Sequence, residues 1–223
     1  MAFADDAIEI QTDARPDAAV IWLHGLGADG HDFEPIVPEL RLPSSPAVRF
    51  VFPHAPIRPV TLNGGMPMRA WYDIISLDGI RKEDEAGIRA SQALVEGLIA
   101  REKARGIPVR RIVLAGFSQG GVLALQTGLR HAERLAGIMA LSTYLPLAAT
   151  LAAERSQINR DLPIFMAHGT QDPMIGMDKA TASRDALGAL GYVVAWHTYP
   201  MPHSVCAAEI GDISAWLTQT AFA

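Results

Sequence analysis

The stretch RIVLAGFSQGG at positions 111–121 decides how this chain is read. Positions 111–115 are a compact apolar run of the kind that forms a buried strand, and 119–129 continues as a helix candidate. Between them Gly116-Phe117-Ser118-Gln119-Gly120 fits G-x-S-x-G. A sharp strand-to-helix turn here pushes the serine oxygen out at the carboxyl edge of a sheet. Glycines at 116 and 120 remove side chains that would collide in so tight a turn. A helix that begins at the serine also turns its positive dipole end and free N–H groups toward a developing negative charge. The pattern alone is short, and a glycine-rich turn in which Ser118 only caps the helix would share it. The strand before and the helix after favour a nucleophile.

Further apolar runs lie at 20–24 (VIWLH), 48–53 (VRFVFP), 137–141 (GIMAL), 163–167 (PIFMA) and 193–199 (VVAWHTY). Most are continuously apolar and not alternating, as expected of strands buried on both faces of a parallel sheet. Helix candidates lie at 84–105, where Ile88, Leu94, Val95, Leu98 and Ile99 recur near helical spacing, at 178–190 before Gly191, and at 207–220. Strands alternating with helices predict an α/β fold with a mostly parallel central sheet and helices on both faces. Positions 53–79 break the alternation. Their prolines and glycines predict an ordered excursion, and connections this long are often functional. No repeat, linker or low-complexity tract divides the chain, so a single domain over 1–223 is expected.

A serine hydroxyl needs a base within hydrogen-bond reach, and the base needs an orienting carboxylate. On sheets of this kind the chain order is Ser, then Asp or Glu, then His. His131 ends the helix after Ser118 and points away from the carboxyl edge, while His197 lies within a strand. His168 ends the run at 163–167 and is the main rival. His203 lies in the loop directly after the last strand, where catalytic groups gather in open α/β sheets, and is the expected base. Asp172, the acid in the loop GTQDP at 169–173, is the expected orienter. Its plainer reading is an Asx turn, and Asp178 is an alternative that better suits a helix start. The oxyanion needs two backbone donors. Gln119 N–H is one, and Leu26 N–H in the glycine-flanked loop after the first strand is the other. His24 is expected to hydrogen-bond within that loop.

Taken together, LHGLGADGHDF at 23–33, PHAPIRPVTLNGGMPMRAWYDI at 53–74, GFSQGG at 116–121, HGTQDP at 168–173 and MPHSV at 201–205 resemble the acyl-protein thioesterase and bacterial carboxylesterase family. The similarity runs over nearly the whole chain, and the 53–74 block is far more specific than G-x-S-x-G. The resemblance implies an α/β-hydrolase fold and a Ser118/Asp172/His203 triad with Leu26 and Gln119 as oxyanion donors. It implies a small ester or thioester substrate and a wall near 53–71 for the acyl chain, with Leu62, Trp71 and Leu145 facing substrate. For Trp71 a packed anchor is an equal reading. A groove near Leu62 and Met66 would suit short to medium acyl chains. The Trp-Tyr-Asp at 71–73 and the compact length look closer to the bacterial carboxylesterase branch, and a homodimer is compatible with the resemblance.

Composition bounds the partners. Of 223 residues, 49% are hydrophobic and 19% charged, which excludes intrinsic disorder. Net charge is −5 with no long basic run, so no nucleic-acid partner is expected. The single cysteine, Cys206, excludes an internal disulfide and a multi-cysteine metal site, and suits apolar packing at a helix start. No apolar run approaches about 18 residues, so no membrane span is expected. The acidic N-terminus does not read as an export signal, and a cytoplasmic location is the default. Asp29-Gly30-His31-Asp32 is too tightly spaced for inward-pointing metal ligands and reads as a helix start. Glu83, Asp84 and Glu85 with Arg81 and Lys82 read likewise. No nucleotide-binding glycine motif follows the first strand, and no cofactor or metal is expected.

Overall fold

A strand that is apolar at every position must be covered on both faces, and the sheet is built to that demand. A computed structural model describes residues 6–75 and 83–223. In chain order the elements are β1 (Ala7–Gln11), β2 (Ala18–Leu23), α1 (Ile36–Glu39), β3 (Val48–Pro53), β4 (Ile57–Val60), β5 (Met66–Arg69), α2 (Glu85–Ala104), β6 (Ile112–Phe117), α3 (Gln119–Gly128), β7 (Gly137–Leu141), α4 (Ala148–Glu154), β8 (Ile164–Gly169), α5 (Met177–Ala189), β9 (Val194–Tyr199) and α6 (Ala207–Trp216). The main sheet runs β1-β3-β2-β6-β7-β8-β9. Only β1 is antiparallel to its neighbour. This is the α/β-hydrolase architecture expected.

On β2, Ala19, Ile21 and Leu23 pack into the layer of α2, α3 and α5, whereas Ala18, Val20 and Trp22 pack into that of α1 and α6. Each large aliphatic or aromatic side chain buried this way contributes roughly 1.5–3 kcal/mol. Helix α3 runs under the sheet centre with all its residues buried. Helix α2 is amphipathic and buries Ile88, Val95, Leu98 and Ile99. Its Asp84 cap accepts the Gly87 N–H at 2.9 Å, worth about 1 kcal/mol.

Several elements differ from expectation for identifiable reasons. Strand β1 alternates apolar and polar residues and lies at an edge, where charge holds it. The Glu9 carboxylate meets Arg101 at 2.9 Å and Arg105 at 2.7 Å. Hydrogen bonding to Arg105 holds Glu9 below the ordinary carboxylate range. Beside it, the fully buried Glu102 meets Arg49 at 2.7 Å and Arg105 at 3.0 Å. The excursion at 53–79 contains an antiparallel hairpin of β4 and β5 joined through a tight helical turn at Thr61–Asn63. Gly79, Arg81 and Lys82 lie outside the described residues. No helix starts at 29–32. Asp29 Oδ1 instead accepts the His31 N–H at 2.9 Å in a turn, and α1 begins at Ile36 after Pro35. Helix α6 gives way to a wider turn at Leu217–Ala221, before the expected end. Short α4 was not expected.

Candidate active site

The strand order turns back at β2, which has β3 on one side and β6 on the other. Such a reversal opens a crevice at the carboxyl ends of the strands, and the loops after β2 and β6 meet there. Ser118 sits between β6 and α3 at φ 54° and ψ −118°. This left-handed backbone costs a non-glycine residue roughly 1–3 kcal/mol. Neighbours hold it: Ser118 N–H donates to Leu141 O at 2.8 Å, and Thr143 Oγ1 donates to Ser118 O at 2.7 Å. Space dictates the flanking glycines. A Cβ on Gly120 would lie 2.1 Å from Leu23 O, and one on Gly116 would lie 2.3 Å from the Gly120 main chain.

His203 follows β9 and Asp172 follows β8. His203 Nδ1 lies 2.6 Å from Asp172 Oδ2. Asp172 Oδ1 accepts the N–H groups of Met174 at 2.8 Å and Ile175 at 2.9 Å. Burial raises the proton affinity of Asp172, but the bonds from His203, Ile175 and Met174 outweigh it and hold the carboxyl below its ordinary range. An ionised Asp172 fixes the His203 proton on Nδ1 and leaves Nε2 as an acceptor. Phe117 packs against the imidazole with ring centroids 4.7 Å apart, and Ser118 and His203 line one cleft.

The other histidines do not line this cleft. His168 is fully buried behind Asp172, its Nε2–H donating to Ile175 O at 2.8 Å and lying 3.5 Å from Asp172 Oδ2. His131 meets Glu96 at 2.7 Å, and His197 stacks on Phe165 at 4.9 Å. His24 bonds within its loop. Its Nδ1–H donates to Gly25 O at 2.7 Å, and its Nε2 accepts the Ala55 N–H at 3.0 Å. Burial lowers its pKa to about 4, so the ring stays neutral. Asp178 is exposed in the first turn of α5.

Leu26 and Gln119 border the cleft beside Ser118. Gln119 opens α3, so its N–H has no acceptor within the helix. The loop after β2 is fixed by Gly27 N–H, which donates to Arg69 O at 2.9 Å. Trp71 Nε1–H donates to His24 O at 2.9 Å. The Gln119 side chain spans the same junction. Its Oε1 accepts the Trp71 N–H and its Nε2 donates to Tyr72 O, both at 2.7 Å.

The cleft encloses about 260 Å³, and Leu62 borders it. Two expected wall residues do not. Trp71 is inaccessible to solvent and anchors the loop from beneath, because its indole N–H and main chain are both committed to buried partners. Leu145 is also turned away, its N–H held by Ser183 Oγ at 2.8 Å, and it lines a neighbouring cavity of about 310 Å³. Met66 is exposed on the hairpin and does not border the cleft. Tyr144, which the sequence reading missed, borders both cavities, and its hydroxyl lies 3.2 Å from that of Tyr72. Its position just past the carboxyl end of β7 was the available signal. Cys206 caps α6 and packs partly buried, as expected. Among the described residues no group of three or more His, Cys, Asp or Glu side chains is placed to hold a metal ion, Asp29-His31-Asp32 included. No helix among them is long and apolar enough to cross a membrane.

Fold and site together define an α/β-hydrolase, an enzyme of the serine hydrolase class. The chain belongs to the phospholipase/carboxylesterase family, whose sequence model matches residues 5–221. It is 46% identical to acyl-protein thioesterase 1 of Neurospora crassa over 215 residues, 92% of this chain and 88% of that protein. It is 41% identical to acyl-protein thioesterase 1 of Mycosarcoma maydis, covering 94% of each. The crystal structure of Zea mays acyl-protein thioesterase 2 superposes with a TM-score of 0.86 at 29% identity, covering 96% of this chain and 98% of that one. The Bacillus cereus carboxylesterase shares the fold at a TM-score of 0.75 and 18% identity, over 96% and 94% of the two chains. The expected leaning toward the bacterial branch is thus not supported by these relatives. It rested on the compact length and on Trp-Tyr-Asp at 71–73, of which Trp71 and Asp73 hold the loop together. Asp73 accepts the Thr61 N–H and hydroxyl at 2.7 and 2.6 Å.

Proposed function

We propose that this enzyme hydrolyses short- to medium-chain acyl esters through an acyl-enzyme on Ser118. His203 takes the hydroxyl proton as Ser118 Oγ attacks the acyl carbonyl, and Asp172 stabilises the imidazolium that forms. Leu26 and Gln119 N–H groups receive the negative oxygen. His203 then protonates the leaving group, the acyl–oxygen or acyl–sulfur bond breaks, and water repeats the sequence to release the acid. The observation that carries this reading is the 2.6 Å bond between His203 and Asp172 at a cleft that also contains Ser118.

A second reading, thioester cleavage on acylated proteins, is favoured by the 46% and 41% identity to two proteins named acyl-protein thioesterase. The same parts serve both, and a thiolate leaves more readily than an alkoxide. The test is hydrolysis of p-nitrophenyl esters and of matched acyl thioesters across chain lengths, with Ser118→Ala in parallel and fluorophosphonate labelling of both proteins. Turnover and labelling that vanish in Ser118→Ala support the serine mechanism. Higher kcat/KM on thioesters at equal chain length favours the second reading. A folded wild-type protein that neither turns over nor labels sinks both.

A further inference from the structure

The Gln119 side chain joins parts that catalysis must keep in register. Gln119 is only 3% exposed. Its main-chain N–H stands beside Ser118, where the proposed mechanism needs a donor. Its side-chain amide meets the next structural unit edge-on, accepting from Trp71 N–H and donating to Tyr72 O at 2.7 Å each. Trp71 in turn donates to His24 O at 2.9 Å, at the root of the Leu26 loop. Tyr72, Ile74 and Ile75 continue from this point along the cleft wall.

We infer that the Gln119 side chain is a positioning residue that couples the wall facing the acyl chain to the two oxyanion donors, so that acyl length is read in the chemical step. This rests on the Ser118 mechanism proposed above. Glutamine suits the role because one planar group presents an acceptor and a donor on the same edge. An apolar side chain of the same length fills the space and loses both bonds. A carboxylate offers two acceptors and faces the Tyr72 carbonyl with no proton between them, whereas a protonated carboxyl restores the donor. Burial pushes such a carboxyl toward its neutral form.

The experiment measures kcat/KM for octanoyl and acetyl p-nitrophenyl esters and takes their ratio, which cancels any ionisation of the free enzyme common to both. In Gln119→Met the octanoyl-to-acetyl ratio falls about fivefold or more, carried by kcat and not KM, on the scale of a lost buried hydrogen bond. In Gln119→Glu the ratio approaches that of wild type at low pH and falls as pH rises, while the wild-type ratio stays flat. Thermal melts confirm folding, and if Gln119→Met does not fold, Gln119→Glu decides alone. A ratio unchanged in folded Gln119→Met, or independent of pH in Gln119→Glu, overturns the coupling while leaving the serine mechanism intact. Failure of the serine mechanism itself is read separately, as turnover that persists in Ser118→Ala or is absent from the wild type.

Discussion

At the β1 edge of the sheet, Glu9 and Glu102 are enclosed by Arg49, Arg101 and Arg105. At the carboxyl edge, Asp172 is enclosed by two N–H groups, the His203 imidazole and, at 3.5 Å, the imidazole of His168. Both regions set carboxylates among donors, but the first network closes on itself. The second stops at His203, whose remaining nitrogen belongs to a residue that lines a cleft. A closed network can only hold strands and helices in place. A chain of bonds with one open end can accept a proton and pass it on.

Substitutions should separate the two regions, first by the size of their effect on turnover. Ser118→Ala or His203→Ala should lower kcat by about 10³-fold or more, with melting temperature nearly unchanged. Near-wild-type hydrolysis by His203→Ala would remove the open end of the network. Asp172→Asn should cost about 10²–10⁴-fold in kcat, because the imidazole loses its orienting acceptor. His168→Asn should instead appear mainly in the melt, since His168 packs behind the site. The β1 network should show the reverse pattern. Glu102→Ala leaves the buried Arg49 guanidinium without its 2.7 Å carboxylate partner and should cost about 3–5 kcal/mol in denaturant unfolding. Its kcat/KM should stay within about twofold of wild type, as expected of well-separated sites. A large loss of turnover in a folded Glu102→Ala would mean the edges are coupled.

The smallest effect concerns another buried carboxyl, Glu209 on α6. Burial raises it from 4.5 to about 8, with Cys206 N–H lowering it in part and Asp212 raising it. The folded chain therefore keeps a proton that the unfolded chain gives up near pH 4.5. The stability this confers is full below that pH and falls as pH rises to about 8. Melting temperatures of Glu209→Gln should vary less across that window than those of wild type. Parallel curves would show that Glu209 is ionised at neutral pH.

Strands covered on both faces were legible because each is apolar throughout, as in β2, β6 and β7. The edge strand β1 was not, since its anchor is a set of arginines distant in sequence, and α4, at 7 residues, is too short to show a period. The three residues of the proposed triad were legible from a motif and from loop order after successive strands, and the structure places Ser118 and His203 on one cleft with Asp172 behind. The cleft wall was not. Whether Trp71 faces in or out depends on hydrogen bonds to His24 and Gln119 that no spacing encodes, and the difference between Tyr144 and Leu145 is one residue of direction after a strand. The side chain of Gln119 also escaped notice, because its partners are main-chain groups and carry no residue signature.

The backbone at Ser118 bears on how this protein responds to selection. Glycine at that position would relieve strain of roughly 1–3 kcal/mol and return roughly 0.5–1 kcal/mol to the freer unfolded chain. On balance an inactive chain gains stability. A library screened for heat resistance alone should therefore enrich glycine at 118, and screening for turnover at the same time should restore serine. The turn that exposes the nucleophile is a point at which durability and activity pull on one codon in opposite directions.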